Sequence, residues 1–180
     1  SPARHYLARA ASAEAFGLGE GPVWDAPRER VLWVDVNAGM VLQGRFDGRD
    51  VAVTRRDHLD RSVGAVVVAA DGRLLVAGRR RLLTVDPEGA VHLGPEIIPS
   101  ATRSRLNDGG CDPGGRFLVG SMALDDRTGT DLLVRLEPDG SLTTLDGDLT
   151  LSNGLGWSPD GLTLYSVDSV PGIVWSRSYL

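Results

Sequence analysis

The sequence contains no lysine; all 19 of its basic residues are arginine. That excludes Schiff-base chemistry, pyridoxal anchoring and a phosphate-loop lysine. Cys111 is the single cysteine, so no internal disulfide can form. His5, His58 and His92 have no metal-ligand spacing between them. No apolar run reaches the roughly 18–20 residues of a membrane span. Ser1-Pro-Ala-Arg shows no charged-then-apolar signal pattern. Positive charge is in deficit: 24 acidic residues leave a net charge of −5, which argues against nucleic acid. Also missing are the Gly-x-Ser-x-Gly elbow, the His-Glu-x-x-His pair and a glycine-rich nucleotide loop. The expectation is a cytoplasmic protein with neither a nucleic-acid nor a membrane partner.

What is present is short, β-branched and regularly interrupted. Val31-Leu-Trp-Val, Ala65-Val-Val-Val, Arg73-Leu-Leu-Val-Ala, Arg116-Phe-Leu-Val and Leu162-Thr-Leu-Tyr-Ser-Val read as strands. Asp-Gly pairs at 47–48, 71–72, 139–140, 146–147 and 160–161 read as hairpin turns. Residues 8–16 are the nearest thing to a helix and read as a leader into the first strand. The strands repeat. Val31, Leu74, Phe117 and Leu164 occupy one aligned position, at spacings of 43, 43 and 47 residues. A period of about 40–50 residues with four short strands per unit signals a β-propeller blade. A sandwich with coincidental spacing is the alternative. The chain supplies about four blades, so it is either a four-bladed ring or a larger one with blades missing; 1–180 reads as a single all-β propeller domain, incomplete at its C-terminal end, where Ser176-Arg-Ser-Tyr-Leu180 stops at the point a strand should turn back. An uncovered edge would favour pairing with a second copy as a homodimer.

About ten residues upstream of each aligned strand lie Glu20, Asn107 and Asn153. The second unit offers only Val63 or Gly64 there. In a propeller these positions surround the central channel, so one carboxylate and two amide oxygens would converge. Such hard donors suit Ca²⁺, Mg²⁺ or Mn²⁺ and tolerate Zn²⁺. Each residue alone has a plainer reading, since Asn-Asp-Gly and Ser-Asn-Gly form turns in any β protein. Arg79-Arg80-Arg81 reads as a solvated hairpin, with a phosphate patch as the alternative, and Asp125-Asp126 as a polar loop or a ligand pair. Cys111 reads as a small buried side chain, and Trp24, Trp33, Trp157 and Trp175 as packing between blades.

Three ordered stretches resemble the SMP-30/gluconolactonase/regucalcin family. They are Gly19-Glu-Gly-Pro-Val-Trp-Asp with Leu32-Trp-Val-Asp, then Arg105-Leu-Asn-Asp-Gly-Gly-Cys-Asp-Pro-Gly-Gly-Arg-Phe-Leu-Val-Gly-Ser-Met, then Leu151-Ser-Asn-Gly-Leu-Gly-Trp-Ser-Pro-Asp-Gly. The resemblance implies a six-bladed propeller with one divalent metal ion on its axis, Ca²⁺ first among Zn²⁺, Mn²⁺ and Mg²⁺. It implies hydrolysis of a sugar lactone. Glu20 and Asn153 match the family's metal ligands, Arg105 and Asn107 its substrate contacts, and Asp125, more loosely, an acidic substrate contact. The family's general base, an aspartate, belongs about fifty residues past Asn153, which places it beyond Leu180. No catalytic residue is therefore identified in this chain; Asp168 comes too early and aligns with a strand residue. The resemblance leads one to expect weak turnover from these 180 residues alone. A non-catalytic propeller fragment acting as a binding scaffold is the alternative, and a different metal-dependent hydrolase on the same fold is a third.

Overall fold

The computed structural model describes residues 5–179. Leu180, the residue past which the resemblance places the general base, lies outside the described residues, as does Ser1-Pro-Ala-Arg. The described chain forms four antiparallel sheets in chain order, each a simple meander. The first holds β1 (Gly19–Asp25), β2 (Arg30–Asp35), β3 (Met40–Phe46) and β4 (Val51–His58). The second holds β5 (Ala65–Val68), β6 (Leu74–Ala77), β7 (Arg81–Val85) and β8 (Val91–Glu96). The third holds β9 (Ser104–Cys111), β10 (Phe117–Ala123), β11 (Asp131–Leu136) and β12 (Leu142–Leu149). The fourth has three strands: β13 (Ser152–Trp157), β14 (Thr163–Asp168) and β15 (Ile173–Ser178). The repeat expected from sequence is the blade: Val31, Leu74, Phe117 and Leu164 each lie in the second strand of their sheet. Among the described residues the helical structure is a single short 3-10 turn, Ala26–Arg28, and no helix is long and apolar enough to cross a membrane.

The apolar runs are continuous because both faces of an inner blade are buried. In β5, Ala65 and Val67 face the third sheet while Val66 and Val68 face the first. In β10, Phe117 and Val119 pack toward the second sheet and Leu118 toward the fourth. The period of two thus feeds two cores from one strand. Three such cores result. Leu32, Val34 and Val41 meet Val66, Val76 and Leu83; Ala77, Leu82 and Ile98 meet Leu106 and Phe117; Leu118 and Leu133 meet Leu164 and Tyr179. Face-to-face stacking brings the first strands side by side, with β1 against β5, β5 against β9 and β9 against β13. The four sheets are blades of a propeller, and β1, β5, β9 and β13 line its axis.

Residues 5–17 form the expected leader without a helix. Phe16 lies edge-on against Trp33 at 5.6 Å, and the Val51 N–H bonds to the Ala11 carbonyl at 2.6 Å. At the other end, Tyr179 folds back on the third blade. Its hydroxyl donates to Asp112 at 2.8 Å, Arg116 Nε donates to the same carboxylate at 2.7 Å, and Trp157 meets the Tyr179 ring edge-on.

Several expectations need correction. Trp33 and Trp157 are packed, while Trp24 and Trp175, in the first and fourth blades, are 52% and 46% exposed. Cys111 is exposed, at the end of β9. Asp146-Gly147 is not a turn. It lies inside β12, where the pairing with β11 slips register. The other four Asp-Gly pairs do sit between paired strands. Leu106 is fully buried between the second and third blades. Leu106→Ala should therefore cost about 2–5 kcal/mol, read as a lower midpoint in urea denaturation.

Candidate functional site

The axial strands carrying polar residues are not regular. β1 slips register against β2 between Glu20 and Val23, β9 against β10 across Asn107 and Asp108, and β13 against β14 between Asn153 and Leu155. Each is a β-bulge placed at a polar residue, and a bulge re-aims the side chain beside it. Gly21 and Gly154 supply the left-handed backbone, at φ +56° and +39°, that this geometry demands. β5 has no register slip and offers no polar side chain. Gly64, just ahead of it, has another task. A Cβ there would stand 2.2 Å from the Asn107 carbonyl oxygen, so the absent side chain lets β9 approach the axis.

The result is one cavity of about 230 Å³, lined by Glu20, Gly64, Arg105, Asn107, Asp108 and Asn153 among others. Four of the five site residues expected from sequence meet there. A hydrogen-bonded line crosses it. Arg105 Nη1 donates to Asn107 Oδ1 at 2.7 Å, and Asn107 Nδ2 donates to Asn153 Oδ1 at 3.1 Å and to the Ser152 carbonyl at 2.9 Å. Asn153 Nδ2 then donates to Ser169 Oγ at 2.9 Å. Each amide oxygen thereby accepts one hydrogen bond from another lining residue. The Glu20 carboxylate makes no hydrogen bond or ion pair among the described residues. Burial lowers the pKa of the Arg105 guanidinium, and the nearby Glu20 carboxylate works against that shift.

Asp125 lies apart. It accepts from Arg127 Nε at 2.8 Å and is not among the cavity's lining residues. Asp108 was not singled out in the sequence, although it stands next to Asn107. Its Oδ2 accepts the Gly154 N–H at 2.8 Å and its Oδ1 the Gly109 N–H at 2.8 Å, so it ties the β13 bulge to β9. The adjacent Asn-Asp-Gly was the available signal.

Two more aspartates hold the site from behind. Asp35 ends β2 and accepts the N–H groups of Gly17 and Leu18 at 2.9 and 3.1 Å. Asp168 ends β14 and accepts those of Thr150 and Leu151 at 2.9 and 2.8 Å. The bonded amides stand three and two residues ahead of Glu20 in one case and of Asn153 in the other. Val36 N–H to Leu18 carbonyl, and Ser169 N–H to Leu151 carbonyl, repeat the match at 2.9 and 3.0 Å. The two blades that present Glu20 and Asn153 thus share one clamp on the lead-in to the axial strand. The second and third blades have Ala77 and Ala123 at the end of the corresponding strand.

Among the described residues no group of three His, Cys, Asp or Glu side chains forms a metal cluster. The donor set is instead one free carboxylate and amide oxygens. Oxygen donors of this kind, completed by water, fit a hard divalent ion.

A family model described as SMP-30/gluconolactonase/LRE-like region matches residues 18–180. The chain belongs to this family. Its relatives include a 6-deoxy-6-sulfogluconolactonase of Pseudomonas putida, 35% identical over 84% of this chain and 52% of the relative. A pentonolactonase of Haloferax volcanii is 32% identical over 90% of this chain and 53% of its own length. Among solved structures, a calcium-binding regucalcin of Agrobacterium tumefaciens superposes with a TM-score of 0.84 at 24% identity, covering 97% of this chain and 60% of that one. A gluconolactonase of Xanthomonas campestris gives 0.71 at 27%, covering 92% and 59%. The chain spans about half the length of the curated relatives it matches.

Two outcomes are expected. Gly64→Ala pushes a methyl group against the Asn107 carbonyl; it should destabilise by about 1–3 kcal/mol, read by thermal melting. The Asp35 carboxyl would be raised by burial, but the N–H groups of Gly17, Leu18, Ala38 and Asn37 outweigh this and hold it below its ordinary value. Its contribution to stability is therefore present above about pH 4 and lost as pH falls through the folded-state value. Asp35→Asn should flatten the acid limb of a melting-temperature profile run from about pH 2 to 6.

Proposed function

We propose that this chain forms the metal- and substrate-holding part of a sugar lactonase. The single observation that supports this most is that Glu20, Arg105, Asn107 and Asn153, drawn from three blades, line one small axial cavity. The family's membership includes proteins named for lactone hydrolysis, which gives the reading its reaction class.

Glu20 and Asn153 would hold the divalent ion, with Ca²⁺ first in order and Zn²⁺, Mn²⁺ or Mg²⁺ as alternatives. When bound, such an ion supplies Lewis acidity toward a carbonyl oxygen and lowers the pKa of water. Glu20 brings the one carboxylate in the cavity that is not committed to a partner among the described residues, since Asp108 is held by backbone N–H groups. Arg105 stands half-buried beside it and keeps a fork of donors for ring hydroxyls or a developing oxyanion. Its bond to Asn107 fixes the amide so that Asn107 Nδ2 faces Asn153 Oδ1. Asn107 thereby couples the substrate side of the cavity to the ion side. Asp108 has both carboxylate oxygens occupied by backbone N–H groups, so it positions the bulges and is not offered as the base. Asp168 is committed to Thr150 and Leu151 in the same way and is not offered as the base either. Asp125, paired to Arg127 outside the cavity, would reach a substrate only from the rim.

The test is calorimetric titration of Mn²⁺ and Ca²⁺, with gluconate as a product-like probe. Glu20→Gln should weaken the ion at least tenfold, since it removes the cavity's one uncommitted carboxylate. Arg105→Gln should leave ion affinity within about twofold and abolish gluconate binding. Unchanged ion affinity in Glu20→Gln would remove the basis of the proposal.

A further inference from the structure

The three consecutive arginines 79–81 do not stand alone as a solvated hairpin. Arg61, from the segment between the first two blades, and Arg103, just ahead of β9, join them around a cleft of about 650 Å³. Five guanidinium groups share this cleft with two carboxylates, in a chain whose net charge is −5. The two carboxylates leave the cluster with an excess of positive charge. Glu96 pairs with Arg81 at 2.9 Å. Asp60 accepts the backbone N–H groups of Arg61 and Arg79 at 2.6 and 2.8 Å, which stitches the two loops together. Asp125, close enough to Arg103 to feel its charge, is held by Arg127 outside the cleft. Arg80 donates to the Ser100 carbonyl, a neutral partner, at 2.7 Å. Among the described residues, the guanidinium groups of Arg61, Arg79 and Arg103 have no hydrogen-bond partner and no salt bridge.

The cleft borders the axial site through β9. Arg103, Arg105 and Asn107 alternate along one chain segment, and two strand residues span about 7 Å. The Leu106 N–H also bonds to the Arg79 carbonyl at 2.8 Å, so the arginine loop is fastened to the strand that carries Arg105 and Asn107. Among the described residues no aromatic side chain lines the cleft, which leaves nothing for a nucleobase to stack on. Unpaired, planar, multi-donor forks from three loops suit a tetrahedral oxyanion.

The geometry points to an oxyanion site. The cleft takes the phosphate or sulfonate group of a sugar-acid lactone whose ring lies in the axial cavity. The oxyanion site stands on the arginines alone; the identity of its substrate rests on the lactonase reading above.

Calorimetry on the full chain with Mn²⁺ present tests it, using gluconate, gluconate 6-phosphate, inorganic phosphate and methanesulfonate as probes. Gluconate 6-phosphate is expected to bind at least tenfold more tightly than gluconate. Arg61→Gln/Arg103→Gln should erase that difference while leaving gluconate binding and the melting temperature unchanged. Arg79→Lys should keep part of it, and Arg49→Gln, outside the cleft, all of it. Inorganic phosphate against methanesulfonate tells a phosphate ligand from a sulfonate one. Equal affinity for the two sugar acids, or an advantage that survives in the double variant, overturns the proposal. If inorganic phosphate binds through Arg61 and Arg103 while gluconate fails to bind at all, the lactonase reading falls and the oxyanion site stands.

Discussion

Each inner blade buries both of its faces, and everything functional in this chain follows from that constraint. A strand such as β5 or β10 gives alternate residues to two different cores. Sheets packed in this way must stack face to face around a common axis, and their first strands must then run side by side. Residues more than forty positions apart are brought together by apolar packing in which they take no part.

On that frame, polarity enters the axis only where the strand geometry is broken. The bulges at Glu20-Gly21, Asn107-Asp108 and Asn153-Gly154 turn side chains into the channel. Regular β5 contributes backbone alone, and Gly64 gives β9 room to come close. The paired clamps at Asp35 and Asp168 hold the lead-ins to two of the three bulged strands with the same bonds at the same offsets. Repetition of the blade therefore provides the scaffold, and departures from repetition provide the site.

The repeat was legible because strand spacing and hairpin turns are local properties of the chain. Glu20, Asn107 and Asn153 could be found because the repeat assigns them one shared position. Asp125 could not be placed in the same way. It follows β10 in a loop, where no repeat fixes its direction, and Arg127 holds it. Residue type likewise marks Trp24 and Trp175 as apolar without saying which face of a blade is covered. The Asp146-Gly147 pair was misread for a related reason, since the same dipeptide serves a turn or a slip within a strand.

By itself the sequence determined an all-β chain of repeating blades, the ring position shared by Glu20, Asn107 and Asn153, and the scarcity of nitrogen and sulfur ligands. Only the tertiary structure decided that Arg105 bonds to Asn107, that Asp108 and the two clamping aspartates serve backbone amides, and that Arg61 and Arg103 gather around Arg79 and Arg80. The division has a physical cause. Periodic burial is written along the chain, one residue after another, whereas the direction of a polar side chain is set by hydrogen-bond partners that arrive from other blades.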